Sequence, residues 1–229
     1  MIRYGIASGL LLCIGLFAYV PLDAAKDDKP GVKVDKEKRT VTIDAKIAPR
    51  KLEHLKGEIY PIEVIACFAH PKGKKAHETV VTIEVNPSVV HKALEELGLK
   101  PGTPVMGGEK EVPQGPTVNV FLEIPTETGG TKKVGMDKVL VDRNNKPFPK
   151  EVKFRFTGSV MIKPDPNKDE KIYGADDKGT LIAIFPVTNE TVLQTNLSME
   201  NEKFLKLETN TKVLPKEGTP VKLILEVPK

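Results

Sequence analysis

Between residues 78 and 97 the spacing of apolar positions changes once, from every second residue to every third or fourth. Val81, Ile83 and Val85 alternate with Thr82 and Glu84, which is the period of a strand with one face buried, so a strand is expected from about Glu78. Val90, Ala93, Leu94 and Leu97 then fall on one helical face while Lys92, Glu95 and Glu96 fall on the other, which predicts a helix over 87–97. Asn86 before Pro87 is a helix start, because an Asn side chain accepts an orphan backbone N–H and proline at the first helical position needs no donor. Val85 and Val90 are spaced for a hydrophobic staple around that start. Gly98 supplies the left-handed stop, with Leu94 and Leu99 placed to touch across it and Pro101 barring continuation.

The same two-residue alternation recurs along the chain. Val32 and Val34, a polar turn at 35–38, and Val41, Ile43, Ala45 and Ile47 predict a β-hairpin. Ile59 to Phe68 and the strand from Glu78 predict a second, with the cationic HPKGKKAH stretch as its tip. Residues 102–116, rich in Gly and Pro, predict an exposed loop, and Val118 to Ile124 a strand. Val134 to Val141 reads as a short strand or one helical turn, Phe154 and Phe156 as a strand, and Leu181 to Val187 as a strand covered on both faces. Leu205 with Leu207, and Val221 to Val227, complete the set. The tetrapeptide GTPV, at Gly102 and again at Gly218, is a reused turn rather than a duplicated domain, since its flanks differ. The expected class is α+β and β-dominated: a mostly antiparallel sheet or sheets of about nine or ten strands, with one helix (87–97) packed on a face.

The first residues change the picture of where the protein works. Arg3, an apolar run from Ile6 to Val20 and the small residues Ala24 and Ala25 have the order of a secretory signal peptide, and the run is shorter than a typical membrane span. Residues 1–25 are therefore expected to be a signal peptide and residues 26–30 a polar, disordered leader, with the mature protein exported to the periplasm or the extracellular space. No membrane span is expected after cleavage. Of the two cysteines, Cys13 lies in the apolar run, so Cys67 would be the sole thiol of the mature chain, placed in an apolar strand and expected to be buried. With 35 basic and 31 acidic residues the formal charge is +4, and tryptophan is absent. The signs are interspersed and the bases are nearly all lysine, without the basic stripe, aromatic platforms and bidentate arginines of a nucleic-acid groove.

Candidate chemistry is sparse. Cys67, His70 and His77 sit in the second predicted hairpin, and thiolate with imidazole suits zinc or copper, but no CxxC or HExxH spacing accompanies them. Glu78 is expected to point away from the two histidines and to pair with a lysine at the strand entry, which leaves too few ligands for a closed zinc site. His91 is expected to stand apart from them on the helix. Asp165, Asn167 and Asp169 have the spacing of the first calcium-loop ligands, yet Pro166 intrudes, Glu170 stands where that loop needs glycine, and Asp176 stands where it needs glutamate, so Asx-turns account for them better. Ser159 follows Gly158 outside any GxSxG elbow, and no GxGxxG or Walker A loop is present.

The run from Lys74 to Val105, with FRFTGSV at 154–160, YGADDKGTLIAIF at 173–185 and PKEGTPVKLIL at 215–225, resembles the YdjY-domain proteins, an exported bacterial family. The resemblance spans roughly Lys51 to Val227 and departs from the family pattern at Phe154, where the family carries tryptophan. It implies export and one compact domain over 31–229, and it brings no established reaction, substrate or cofactor. The expected function is a non-catalytic binding or interaction module of the cell envelope, with no cofactor, and with an envelope protein or a small ligand as partner. The alternative is an envelope metal or redox accessory acting through the stretch from Cys67 to Glu78.

Overall fold

A computed structural model describes residue 1, residues 30–108 and residues 110–229. The expected signal peptide but for Met1, and all of the leader but Pro30, lie outside the described residues. The chain opens with β1 (Val32–Asp35) and β2 (Thr40–Ile47), the first predicted hairpin, followed by β3 (Val64–Phe68), β4 (Thr79–Ile83) and α1 (Pro87–Glu96). Next come β5 (Thr117–Pro125), β6 (Thr131–Gly135), α2 (Met136–Val139) and β7 (Leu140–Asp142), so the ambiguous stretch before residue 142 is strand, helical turn and strand in succession. β8 (Phe154–Phe156), β9 (Met161–Ile162), β10 (Ile172–Tyr173), α3 (Gly174–Lys178), β11 (Thr180–Ala183) and β12 (Leu193–Thr195) follow. The last elements are α4 (Met199–Phe204), β13 (Leu207–Thr209) and β14 (Pro220–Glu226).

Ten of these strands form one sheet in the order β1-β2-β14-β5-β8-β12-β11-β3-β4, with β6 on β5. Ala45, Lys46 and Ile47 of β2 also pair with Ile83, Thr82 and Val81 of β4, and that second pairing closes eight strands into a barrel. The sequence predicts a mostly antiparallel sheet or sheets with one helix on a face; the structure closes the strands into a barrel in which two of the pairings are parallel. β2 and β5 flank β14, and each divides its outer edge between two partners: β2 between β1 and β4, β5 between β6 and β8. Val41, Ile43 and Ala45, Val221, Leu223 and Leu225, and Val118, Val120, Leu122 and Ile124 are buried and belong to one apolar cluster. α1 sends Val90, Ala93, Leu94 and Leu97 into that same cluster, so its apolar stripe is continuous with the barrel core.

A second correction concerns β3 and β4, which pair in parallel, Val64 beside Thr79 and Phe68 beside Ile83. The predicted hairpin is instead a crossover: the chain leaves the end of β3, doubles back and enters β4 at the starting end of β3. VIACF is apolar at every position and buried throughout, so it carries no period from which a direction could be read. β11 and β12 also pair in parallel, while the remaining barrel contacts are antiparallel. β12 and α4 escape the sequence pattern because one has three residues and the other six, the latter opened by a Ser198–Asn201 capping box in which asparagine replaces the usual glutamate.

The stop of α1 is as the sequence has it. Gly98 takes φ +87°, its N–H donates to the Glu95 carbonyl, and the Leu99 N–H reaches back to the Leu94 carbonyl. The start differs. Asn86 makes no side-chain cap bond, and the Ser88 N–H donates to Asp176 Oδ1 at 2.8 Å, so α1 is capped by a carboxylate from α3.

Candidate functional site

β2, β14, β5 and β6 present one row of alternating charge on the outside of the barrel. Register places Lys222 beside Asp44 on one side and Glu123 on the other, and Glu123 beside Lys133. Directly opposed side chains lie about 5 Å apart, so opposite signs attract along the row. Lys222 pairs with Asp44, Lys133 with Glu226, and Lys133 also lies 3.9 Å from the centre of the Phe121 ring. Above one end of this row runs an open groove of about 810 Å³. Its described lining includes Ala45, Val85, Pro125 and Val221, with the Asp44–Lys222 pair on one flank and Lys46–Glu84, 3.1 Å apart, on another. Apolar walls with a few charged groups at the rim are the usual make-up of a ligand site, and the volume falls in the usual range.

The candidates of the predicted hairpin are distributed by the crossover. His70 leaves the far end of β3 and stacks on His54, ring centres 3.8 Å apart. His77 stands at the opposite end, at the entry to β4, with its ring edge on Tyr60 and Nε2 2.9 Å from Glu78 Oε1. The expectation that Glu78 turns away from the imidazoles is thus overturned for His77: residues 76–78 form a turn of 3-10 helix rather than extended strand, so neighbouring side chains do not alternate there. Cys67 is fully buried, its Sγ donating to the Phe68 carbonyl, and burial pushes the thiol up to about 12. Among the described residues no group of three or more His, Cys, Asp or Glu side chains converges as a metal site.

The expected lysine partner of Glu78 is present and is shared. Lys75 Nζ lies 2.8 Å from Glu78 Oε2 and 3.1 Å from Glu63 Oε2, with 29% of its side chain exposed against 11% for Glu78 and 19% for Glu63. Burial, and then the hydrogen bond and charge of Glu78, raise the Glu63 carboxyl above its ordinary value. Glu78 and Glu63 outweigh the burial of Lys75 and raise its ammonium. Burial and then the Lys75 cation hold His77 below its ordinary 6.5. Arg50 completes the network, donating to the His77 and Tyr60 carbonyls and pairing with Glu208 at 3.1 Å. No spacing in the sequence marks this assembly, because Arg50, Glu63, Lys75 and Glu208 come from four separate segments.

A second polar junction ties together three of the segments that carry the family resemblance. His91 Nδ1 and the Tyr173 hydroxyl are 2.7 Å apart, and the Ser159 N–H donates to the same hydroxyl at 3.1 Å. Ser159 Oγ accepts the Ala175 N–H, which makes it a backbone clasp for α3. Gly158, at φ +67°, lets Pro101 and His91 approach, since a Cβ there would lie 2.9 Å from the Pro101 ring. The order of the motifs along the chain was the one signal of this junction. Of the calcium-like run, Asp165 accepts the Asn167 N–H in an Asx-turn, Asp169 pairs with Lys163, and Asp176 is committed to α1. The loop at 102–116, largely exposed as expected, is pinned by Gln194, whose buried amide accepts the Val105 N–H and donates to the Val105 and Thr188 carbonyls.

These features define a β-dominated protein with few helices, built on a closed barrel whose outer face carries paired charges, and no described helix is long and apolar enough to cross a membrane. The chain belongs to the YdjY-domain family, whose model matches residues 32–226. No curated protein and no solved structure matches it.

Proposed function

We propose that this is an exported bacterial protein that serves the cell envelope as a non-catalytic binding module, and that the groove beside the Asp44–Lys222 row receives its ligand or partner. The groove is the observation that carries this reading. It offers about 810 Å³ between apolar walls, whereas the polar clusters around Lys75 and His91 are engaged within themselves. Lys75 is held by Glu63 and Glu78, and His91 lies against Tyr173. The rim carries both signs in alternation, which suits a partner of mixed charge, such as an extended peptide, better than a polyanion.

The test is photocrosslinking in cells that export the protein, with a photoreactive residue in place of Val85 in the groove wall and, as control, in place of Glu127 in the β5–β6 turn. A discrete adduct from the groove position and none from the turn is expected. Equal or absent adducts at both positions overturn the binding reading. N-terminal sequencing of the exported material should begin near Lys26, and recovery of Met1 would refute export by a cleaved signal. Stoichiometric zinc or copper in the purified protein would favour the metal-accessory alternative instead.

A further inference from the structure

The crossover between β3 and β4 lies over a small apolar patch that is separate from the main core. Val64, Cys67 and Ala76 form this patch, with Leu52 packed against it. Ala76 is the one apolar side chain that the crossover contributes to it, so hydrophobic contact holds the segment only weakly. The remaining fastenings are three ring contacts, His70 on His54, His77 against Tyr60 and Lys72 over Phe68, and a few polar ties at particular points. Lys75, paired with Glu78 inside the segment, ties it to Glu63 outside it, the Glu63 N–H donates to the Glu78 carbonyl at 3.0 Å, Arg50 bonds the His77 carbonyl at 3.1 Å, and the Lys74 N–H reaches the Lys178 carbonyl at 3.3 Å. At its near end the segment lies flush on β3. The Gly73 N–H donates to the Ala69 carbonyl, and a Cβ on Gly73 would stand 1.8 Å from the Phe68 carbonyl oxygen.

We propose that residues 69–78 form a strap that opens as a unit while the barrel stays closed, uncovering the Val64–Cys67 strip of β3, and that the Lys75 bridge is its latch. Segments with few apolar contacts and a few polar ties open sub-globally at a free energy below that of full unfolding. The barrel strands keep their ladders during such an opening, because β3 is paired on its two edges by β11 and β4 rather than by the strap. Cys67 is the built-in reporter. Its thiol is fully covered and has a raised pKa in the closed form, and it becomes reactive when the strap lifts.

The experiment measures disulfide exchange of Cys67 with dithionitrobenzoate in the full chain carrying Cys13→Ser, at fixed pH and increasing urea. Labelling through strap opening should show almost no urea dependence at low urea, since little surface is exposed, and should turn steep only where global unfolding takes over. Gly73→Ala, which props the strap without touching the latch, and Lys75→Met, which removes the latch, should each accelerate the shallow phase roughly tenfold or more, with Lys75→Arg nearer to wild type. A steep urea dependence from zero denaturant in the wild-type chain overturns the proposal, whether or not the variants fold. So does a shallow phase that Gly73→Ala and Lys75→Met leave unchanged.

Discussion

β2, β14 and β5 keep one face in water, whereas β3, β4, β11 and β12 are covered on both, and the two halves of the barrel use charge in opposite ways. On the open half, ion pairs such as Lys222–Asp44 stand on the outer face with about half of each side chain exposed, where solvent and salt weaken them. On the covered half, Lys75 and its two carboxylates are largely but not wholly withdrawn from water, so each member depends more on the others being present. A similar contact is thus optional in one place and obligatory in the other.

The largest contrast is expected in the core. Ile182 of β11 is fully buried, and Ile182→Ala should cost about 3–4 kcal/mol, while Ile224→Ala, on the half-exposed outer face of β14, should cost about 1 kcal/mol. Urea denaturation of the pair measures it, and equal losses would mean that the covered half is less tightly packed than its burial implies. Lys75→Met comes next. It leaves Glu63 and Glu78 facing each other without a cation and should cost about 2–3 kcal/mol, somewhat under the figure for a fully buried pair because the rim is wet. Adding Glu63→Gln and Glu78→Gln should recover most of that loss, and a failure to recover would show that packing of the lysine stem was the larger contribution.

The covered half also has the more informative response to pH. His77 has a lowered pKa, so its contribution is present above 6.5 and is lost as pH falls through its folded value. Glu63 has a raised pKa, so its contribution is present below 4.5 and is lost as pH rises through its folded value. The two oppose each other on acidification from neutral pH. His77→Gln should unmask the Glu63 effect, so that the urea midpoint of the variant shifts upward relative to wild type between pH 7 and pH 5. A parallel shift in both proteins would mean that His77 does not titrate differently on folding. Smallest of all, Lys222→Ala on the open half should move stability by no more than about 0.5 kcal/mol, and a larger change in a denaturation curve would erase the distinction between the halves.

The open half was legible in the sequence for a physical reason: a strand with one wet face must alternate, and Val41 to Ile47, Val118 to Ile124 and Val221 to Val227 do so. α1 and its Gly98 stop were legible because cap chemistry is local. The parallel pairing of β3 with β4 was not, since alternation marks which face of β4 is buried but not which way its neighbour runs, and the HPKGKKAH composition suits a hairpin tip and a crossover equally well. Closure of the barrel through Ala45–Ile83 is a pairing of segments nearly forty residues apart with no local mark. The groove and the Lys75 bridge share that origin, being assembled from groups that meet only after the strands have paired. The cap on α1 shows the same limit on a small scale: the sequence offers Asn86, while the fold uses Asp176 from the distant helix α3.

The place of β14 has a further consequence for how the molecule comes into being. The last strand in chain order is the one inserted between β2, near the beginning, and β5, in the middle, so neither of those long strands has its central neighbour until residues 220–226 are available. Early strands can form the first hairpin, but they cannot close the wall. Such long-range pairing makes folding slow, because loop closure must precede the contacts that reward it. The wall formed by β2, β14 and β5 is therefore completed only after residues 220–226 have joined both of its outer strands.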